Sequence, residues 1–201
     1  MAGKTNTKQK RIGGQKKALT KRDVQSIENR LHTREDWRGL AIFRTAIDSM
    51  LRASDLVRLD LDDVVDRNGD IRTECEIIMK KTKKRVKFRL ADHTRQALKL
   101  WIDTRPPFSG EWLFPGKGAE GHISEVHYRR MAKEWFDAAG LDVRDFSTHS
   151  LRRTKAAEMY RQTKNIKAIS LRLGHSNPSV TAEYLGIDDA DSLDLSDKVK
   201  I

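Results

Sequence analysis

The hydrophobic positions of the chain change their period twice, and these changes predict where helices and strands lie. From residue 20 to residue 59, apolar side chains recur every three or four positions, as on one face of a helix. Between residues 64 and 90, short apolar runs are separated by Asn68-Gly69 and by a lysine-rich stretch, which is typical of β-hairpins. After residue 92 the helical period returns and continues to residue 186.

These patterns predict a mainly α fold with a small three-stranded antiparallel β-sheet inserted in it, an α+β arrangement. Helices are expected near residues 20–31, 35–50, 54–59, 92–104, 124–139, 150–161, 165–173 and 178–186. Strands are expected at 64–65, 71–79 and 86–90. The last helix has the clearest start, because Asn177 can cap it and Pro178 suits its first turn.

The net charge of +11 and the pI of about 9.8 indicate a polyanionic partner, nucleic acid first and an acidic membrane surface second. The charge is concentrated at the start of the chain, where the first 22 residues hold eight Lys or Arg and no acid. Residues 1–19 lack an apolar period and are expected to be a flexible basic arm. Its Lys16 and Lys17 are candidates for DNA contact, although such an arm can also be a solubilising tail.

The cysteine content and the apolar runs point to a cytoplasmic protein. A single cysteine, Cys75, excludes an internal disulfide, and its place in an expected strand favours a buried thiol. No apolar run approaches the roughly 20 residues that span a membrane, and the start of the chain lacks a signal-peptide core.

The candidate chemistry lies in the last third of the chain, which reads T148-H149-S150-L151-R152-R153, then L173-G174-H175, then E183-Y184-L185. A phenol with a pKa near 10 is a weak nucleophile unless its surroundings stabilise the phenolate. Arginine suits attack on a phosphodiester, because its planar fork pairs with two phosphate oxygens and keeps its proton. Tyr184 taken alone is more often a packed core tyrosine, whereas the four spaced residues together favour a catalytic site.

This order of residues resembles the active-site end of the tyrosine recombinases, the phage integrases and their relatives. The resemblance also predicts an arginine earlier in the chain. The stretch L51-R52-A53-S54-D55-L56 matches the one that carries the family's first arginine. It implies that Arg52 binds phosphate and that Asp55 holds the arginines in place. The family's hairpin lysine aligns with Lys81 in K81-T82-K83, with Lys83 as the second choice.

The resemblance implies a complete reaction for these residues. Tyr184 would attack a DNA phosphodiester and form a 3′-phosphotyrosyl link, so that no ATP, metal or other cofactor is needed. Arg52, Arg152 and His175 would stabilise the pentavalent phosphate. His149 would assist proton transfer with Tyr184, and Lys81 would protonate the departing 5′ oxygen.

The resemblance also implies a domain organisation and partners. Residues 20–187 would be the catalytic domain, and only an arm precedes it where most relatives have a helical DNA-clamping domain, as in the short fimbrial switch invertases and plasmid integrase-like proteins. Double-stranded DNA, a homotetramer on paired sites and an accessory DNA-binding protein are the expected partners, in the bacterial nucleoid. The tail, residues 188–201, would dock on a neighbouring protomer or fold back on its own domain.

Several alternatives stay open at this point. The same fold could serve a catalytically silent DNA-binding regulator, or a type IB topoisomerase could use the same chemistry. Further DNA contacts are expected from Lys80, Lys83, Lys84 and Arg153. The Gly-rich stretch 116–121 is expected to be a loop rather than a dinucleotide site, because no strand–helix pattern surrounds it. His122 and His127 are expected to be surface residues rather than metal ligands.

Overall fold

The structure is a computed structural model that describes residues 16–106, 110–117 and 121–187. The helices in this part of the chain are α1 (Lys21–Thr33), α2 (Trp37–Ser49), α3 (Ala53–Leu56), α4 (Leu61–Val64), α5 (Asp92–Thr104), α6 (Glu125–Ala138), α7 (Thr148–Thr163), α8 (Ile166–Leu173) and α9 (Pro178–Leu185). Two strands, β1 (Glu74–Ile78) and β2 (Arg85–Arg89), lie between α4 and α5. The predicted mainly α fold with a small antiparallel sheet is confirmed.

Helix α2 is the centre of the fold. Its first turn is capped by the Asp36 side chain, which accepts a hydrogen bond from the Gly39 N–H, and nearly every residue from Gly39 to Ser49 is buried. The helix packs against α1, α5 and α7. It ends at Met50, which adopts a left-handed conformation with φ of 52° and turns the chain sharply toward α3. This turn carries the following residues to one end of the helical core.

The sheet has two strands within the described residues, rather than the three expected. Strands β1 and β2 are antiparallel, with Glu74 opposite Arg89 and Ile78 opposite Arg85. In place of the first expected strand, Val65 pairs with Ile71 in a single antiparallel bridge. Asn68-Gly69 forms the predicted turn between them, with Gly69 at φ of 85°. The hairpin turn was therefore predicted correctly, but its strands do not extend.

The missing strand is explained by the residues before it. Asp60 and Asp63 form a capping box, in which each side chain accepts from the backbone N–H of the other. This box begins α4, and Val64 becomes the last residue of that helix instead of the first residue of a strand. Local capping hydrogen bonds have therefore outweighed the β propensity of a valine pair.

The end of the expected flexible arm is held on the domain. Leu19 is buried, and its N–H donates to the Thr154 hydroxyl on α7 at 3.0 Å. The Lys17 N–H donates to the Asp145 carbonyl at 3.0 Å, and its ammonium pairs with the Asp145 carboxylate at 2.7 Å. Residues 16–19 therefore pack on the folded domain, while the division of the chain at residue 19 stays a prediction. Residues 1–15 of the arm lie outside the described residues, as does the expected 188–201 tail.

Smaller expectations have mixed outcomes. Cys75 is buried as predicted, and burial raises the pKa of its thiol to about 12. Gly116 and Gly121 belong to a loop closed by a backbone hydrogen bond between them, as predicted. His122 is buried against Trp112, with ring centroids 4.9 Å apart, so the prediction of a surface residue was wrong. No group of metal-binding side chains and no membrane-spanning helix is found in the described part of the chain.

One buried ion pair joins three helices and supports a stability prediction. The Asp48 side chain on α2 is 6% exposed and lies 2.6 Å from the Lys155 ammonium on α7. It also accepts from the Thr94 hydroxyl at 2.6 Å and the Ala91 N–H at 2.8 Å, at the start of α5. Asp48→Asn should lower the free energy of unfolding by about 3 kcal/mol, because it leaves a partly buried ammonium unpaired. Urea denaturation at pH 7 measures this change.

The control for this substitution is Asp92→Asn, which removes a carboxylate from a solvent-exposed pair with Arg95. The free energy of unfolding of that variant should lie within about 0.5 kcal/mol of the wild-type value.

The pH dependence of the stabilisation by Asp48 has a defined sign. Burial alone raises the pKa of Asp48, but Lys155, Thr94 and Ala91 together leave it below 3.8. The stabilisation is therefore complete above pH 3.8 and is lost as the pH falls below it. If Asp48→Asn and Asp92→Asn lowered the free energy of unfolding by the same amount, the stabilising role assigned to the Asp48–Lys155 pair would be contradicted.

Candidate active site

Arg52 lies at the turn between α2 and α3, where it occupies the N-cap position of α3 in an extended conformation. The left-handed Met50 directs the chain so that the Arg52 side chain points toward the sheet. Its Nη1 lies 3.1 Å from the sulfur of Met79, which follows β1 and is buried. A thioether is a weak acceptor, so the guanidinium keeps most of its hydrogen-bonding capacity for another ligand.

Helix α7 carries His149 and Arg152 three positions apart on one face. The helix begins with a Ser147–Ser150 capping box, which fixes His149 in the first turn. Arg152 is 4% exposed, and its Nη2 donates to the Leu173 carbonyl at the end of α8 at 2.8 Å. Burial lowers the pKa of Arg152 to about 10, and the nearby positive charge of Arg52 adds to this lowering. The guanidinium is still protonated at neutral pH.

His175 follows α8 directly after Gly174, which ends the helix in a left-handed conformation with φ of 64°. Its Nδ1 lies 2.9 Å from the Thr181 hydroxyl, and that hydroxyl accepts from the buried Ser170 at 2.7 Å. Partial burial, Arg152 and Arg52 together lower the pKa of His175 to about 4. The imidazole is therefore neutral at pH 7 in the unliganded site.

Tyr184 lies on α9, which begins at Asn177-Pro178 as predicted. Its hydroxyl donates to the His149 carbonyl at 3.3 Å, and its ring meets the His175 ring edge-on with centroids 5.7 Å apart. The Arg153 guanidinium lies over the phenol ring, 5.7 Å from its centroid. Burial raises the pKa of Tyr184, whereas the charges of Arg152, Arg153 and Arg52 act in the opposite direction.

A small apolar cluster holds these elements together. It is formed by Met50, Ala156, Ile169 and Leu173, with Tyr184 and Leu185 packed against it. The cluster joins the end of α2, the middle of α7, and helices α8 and α9. It therefore fixes the distance between the arginine-bearing segments and the tyrosine.

Asp55 lies beside the site but has a different main contact from the one expected. The carboxylate is buried, and its Oδ1 accepts from the Lys80 N–H at 2.8 Å. It thus anchors the start of the hairpin turn rather than forming an ion pair with Arg52. Asp55 is also close enough to Arg152 to favour the charged form of that guanidinium. This contact with the hairpin could not be read from the Arg-x-x-Asp spacing.

The structure brings Arg52, His149, Arg152, His175 and Tyr184 together, as the spacing indicated. Lys81 lies in the turn after Lys80, and its side chain is exposed. No hydrogen bond or ion pair from the Lys81 side chain to the other five residues is present in the described chain. Its proposed role in the reaction thus requires the hairpin, or the lysine side chain, to approach bound DNA.

Three further residues in the site were not singled out for these contacts from the sequence. Met79 contacts Arg52, Thr181 contacts His175, and Arg153 covers the ring of Tyr184. Met79 and Thr181 look like ordinary strand and helix residues, so no sequence signal marks them. The expected DNA contacts from Lys16, Lys17, Lys80, Lys83, Lys84 and Arg153 remain predictions.

The structure places the Tyr184 hydroxyl near two arginines and two histidines, on a helical domain with a hairpin, which is the arrangement expected of the tyrosine recombinase class. The family model described as "Phage integrase family" matches residues 17–191. The chain therefore belongs to the phage integrase family. The expected resemblance is confirmed, and the match begins at the segment that packs on α7.

Known relatives agree with this assignment. A probable integrase/recombinase, YoeC of Bacillus subtilis (strain 168), is 32% identical over 152 residues, covering 76% of this chain and 79% of that protein. Tyrosine recombinase XerC of Haemophilus ducreyi (strain 35000HP / ATCC 700724) is 30% identical over 155 residues, covering 76% of this chain but 49% of XerC. The chain thus matches about half the length of that second relative.

Solved structures show the same fold. The crystal structure of XerA recombinase has a TM-score of 0.76 at 20% identity, over 94% of this chain and 67% of that one. XerH site-specific recombinase, bound to palindromic difH substrate in a post-cleavage complex, has a TM-score of 0.73 at 17% identity. That comparison covers 92% of this chain and 54% of XerH. At these identities the likeness establishes the architecture.

Gly174 supports a prediction about stability and site geometry, because a side chain at this position would clash with residues of the β1–β2 hairpin. An added Cβ would lie 2.3 Å from the Met79 methyl and 3.0 Å from Val86, at a φ of 64°. Gly174→Ala should lower the free energy of unfolding by about 2–3 kcal/mol, from left-handed strain and the forced shift of the neighbours. It should also displace His175. Chemical denaturation and a DNA-cleavage assay measure the two effects.

The matched control is Gly140→Ala. Gly140 has a similar φ of 74°, but an added Cβ would meet nothing within 4 Å. Its cost should therefore be the left-handed strain alone, about 1–2 kcal/mol, with cleavage unchanged. If the two variants lost the same free energy, the contact between Gly174 and Met79 would have no energetic importance.

Proposed function

We propose that the chain is the catalytic part of a site-specific DNA recombinase that cuts and rejoins DNA strands through a 3′-phosphotyrosyl intermediate. The observation that supports this most strongly is the position of the Tyr184 hydroxyl among Arg52, Arg152, His149 and His175. Residues 20–187 would form the catalytic domain, residues 1–19 a DNA-contacting arm, and residues 188–201 a tail that docks on a neighbouring protomer.

The proposed first step is attack of the Tyr184 oxygen on a DNA phosphorus. A P–O bond to tyrosine forms, and the P–O bond to the 5′ oxygen of the next nucleotide breaks. Arg52 and Arg152 would bind the nonbridging oxygens, where charge builds up in the transition state. Lys81 would give its proton to the leaving 5′ oxygen, so that a 5′-hydroxyl is released.

The proton of the phenol also needs an acceptor. Burial raises the pKa of Tyr184, so the free enzyme holds a neutral phenol. Partial burial, Arg152 and Arg52 lower the pKa of His149, so this imidazole is neutral at pH 7 and is able to accept a proton. We infer that His149 assists the deprotonation of Tyr184. When a phosphate binds between Arg52 and Arg152, its negative charge partly offsets theirs. The two guanidiniums would still stabilise the negative charge that develops in the transition state.

His175 would serve as a hydrogen-bond donor. The Thr181 hydroxyl already accepts from Ser170, so its own proton can go to the Nδ1 of His175. This pattern favours the tautomer with the proton on Nε2, which is free to donate to a phosphate oxygen. The low pKa of His175, about 4, agrees with a neutral donor.

Rejoining reverses the first step. A 5′-hydroxyl from another strand attacks the phosphotyrosine, and Tyr184 leaves. Because the bond energy is kept in the covalent intermediate, we infer that neither ATP nor a metal ion takes part. Exchange between two duplexes would require a homotetramer on paired double-stranded DNA sites. An accessory DNA-binding protein is a further proposed partner on the DNA.

The test is recovery of the covalent intermediate. The wild-type protein is expressed in a host that carries its native flanking DNA, cells are lysed in detergent, and protein-linked DNA is isolated and sequenced. After nuclease and protease digestion, mass spectrometry should locate a phosphonucleotide on the peptide that contains residue 184. One enriched short site and recombinant junctions are expected. Adducts scattered over the genome would favour a topoisomerase. DNA binding without any adduct, although both partner sites are present, would favour a silent regulator.

A further inference from the structure

The segment of residues 16–19 is anchored next to the active site by hydrogen bonds to two different parts of the domain. Lys16 donates through its ammonium to the Arg144 carbonyl, and Lys17 binds Asp145 through both backbone and side chain. Leu19 enters the core and donates its N–H to Thr154. The segment thus crosses the loop before α7 and ends on α7 itself, one residue beyond Arg153.

Arg153 connects this segment to the tyrosine. Its Nη1 donates to the Lys16 carbonyl at 2.9 Å, across 137 positions in sequence. The same guanidinium lies over the Tyr184 ring, with Cζ 5.7 Å from the centroid. The phenol ring also meets the His175 ring edge-on, and its hydroxyl donates to the His149 carbonyl. Arg153 is therefore the link between the N-terminal segment and the nucleophile.

We propose that Arg153, held in place by the Lys16 carbonyl, is a positioning residue for Tyr184, so that docking of residues 16–19 on α7 sets the orientation of the nucleophile. The inference rests on the proposed role of Tyr184. A cation over the ring face is attracted to the π electrons and restricts rotation of the ring. The positive charge also stabilises the phenolate that forms during attack.

Through this arrangement, the basic arm would affect the orientation of Tyr184 as well as the affinity for DNA. Lys4, Lys8, Lys10 and Arg11 precede the segment in sequence and carry charges that attract DNA phosphates. A displacement of residue 16 would reach Arg153 through the hydrogen bond from its guanidinium to the Lys16 carbonyl. Contact of the arm with DNA therefore couples to the tyrosine, rather than only adding to the total binding energy.

The first test uses the protein without DNA, so its result does not depend on the DNA reaction. The chain has three tyrosines, and labelling with ¹³Cζ-tyrosine gives three NMR signals, which Tyr184→Phe and Tyr160→Phe assign. In Arg153→Met the Tyr184 signal should shift, and its titration midpoint should move to higher pH, because a stabilising charge is lost. Arg153→Lys should restore part of the shift.

Two further variants test whether the segment acts through Arg153. Thr154→Val removes the acceptor for the Leu19 N–H without touching the guanidinium, and it should move the Tyr184 signal in the same direction as Arg153→Met. Arg161→Met is the matched control, since Arg161 lies on the same helix, is exposed and pairs with Glu158 at 2.7 Å. It should leave the signal unchanged. An unshifted Tyr184 signal in Arg153→Met, or in Thr154→Val, would overturn the proposal.

Once the DNA target site is known, a cleavage assay distinguishes two roles of Arg153. One is positioning Tyr184, and the other is binding a DNA phosphate. Arg153→Met should slow cleavage about 3- to 10-fold at pH 7, within the range of a cation–ring contact. The pH profile should move to higher pH. If Arg153 served only to bind phosphate, more DNA would be needed for half-maximal cleavage and the pH profile would stay in place, which would overturn the positioning role. If the wild type formed no adduct at all, the proposed function would fail, while the NMR result would still stand.

Discussion

Tyr184→Phe should abolish the covalent protein–DNA adduct completely, because the substitution removes the oxygen that bonds to phosphorus in the proposed mechanism. The fold should be unaffected. The phenol hydroxyl donates a long hydrogen bond of 3.3 Å to the His149 carbonyl, and the loss of such a bond lowers the free energy of unfolding by about 1 kcal/mol or less. Adduct recovery from cells and urea denaturation measure the two quantities on the same preparations.

The control for this substitution is Tyr160→Phe. Tyr160 lies on α7 at the edge of the same small apolar cluster, with the Lys164 ammonium 4.5 Å from its ring centroid. The substitution removes an identical hydroxyl from a neighbouring tyrosine, so adducts should form at the wild-type level. Adducts that persist in Tyr184→Phe at the same DNA site would assign the nucleophile to another residue and refute the proposed mechanism.

Arg152→Lys should slow DNA cleavage about 100- to 1000-fold, the range found when one donor to a developing charge is removed. Lysine keeps the charge but lacks the fork, which donates to the Leu173 carbonyl and, in the proposed mechanism, to a phosphate oxygen at the same time. Arg152 is also the most buried of the cationic residues in the site, at 4% exposure. A shorter, strongly hydrated ammonium at this position would either lose its contact or draw water into the site. Single-turnover cleavage at saturating DNA measures the chemical step.

Arg161→Lys is the matched control on the same helix. Its guanidinium is exposed and pairs with Glu158, so cleavage should stay within about twofold of the wild type. The free energy of unfolding of Arg152→Lys should fall by no more than about 2 kcal/mol, which is the cost of one hydrogen bond to a charged group. A cleavage rate near that of the wild type would show that Arg152 has a structural role and does not bind the phosphate.

Much of the site could be predicted because its residues lie on short segments with strong local signals. Ser147, Asn165 and Asn177 cap their helices, and Gly174 ends α8. Such caps fix the direction of a helix from a few neighbouring residues, so the spacing of catalytic side chains along the chain survives in space. The strand error at Val64 has the same origin, since the Asp60–Asp63 capping box was a local signal that the hydrophobic pattern obscured.

The sequence by itself determined the helical order, the hairpin turn at Asn68-Gly69 and the family of this protein, because local hydrogen bonds and residue spacing control these features. Only the tertiary structure decided which distant partners each polar group takes. Asp55 anchors Lys80, Asp48 pairs with Lys155, and Arg153 joins Lys16 to Tyr184. A buried polar group takes whichever partner packing brings within reach, and packing depends on the whole set of helices. The spacing therefore indicated which residues come together in the candidate site, and the fold determined what holds them in place.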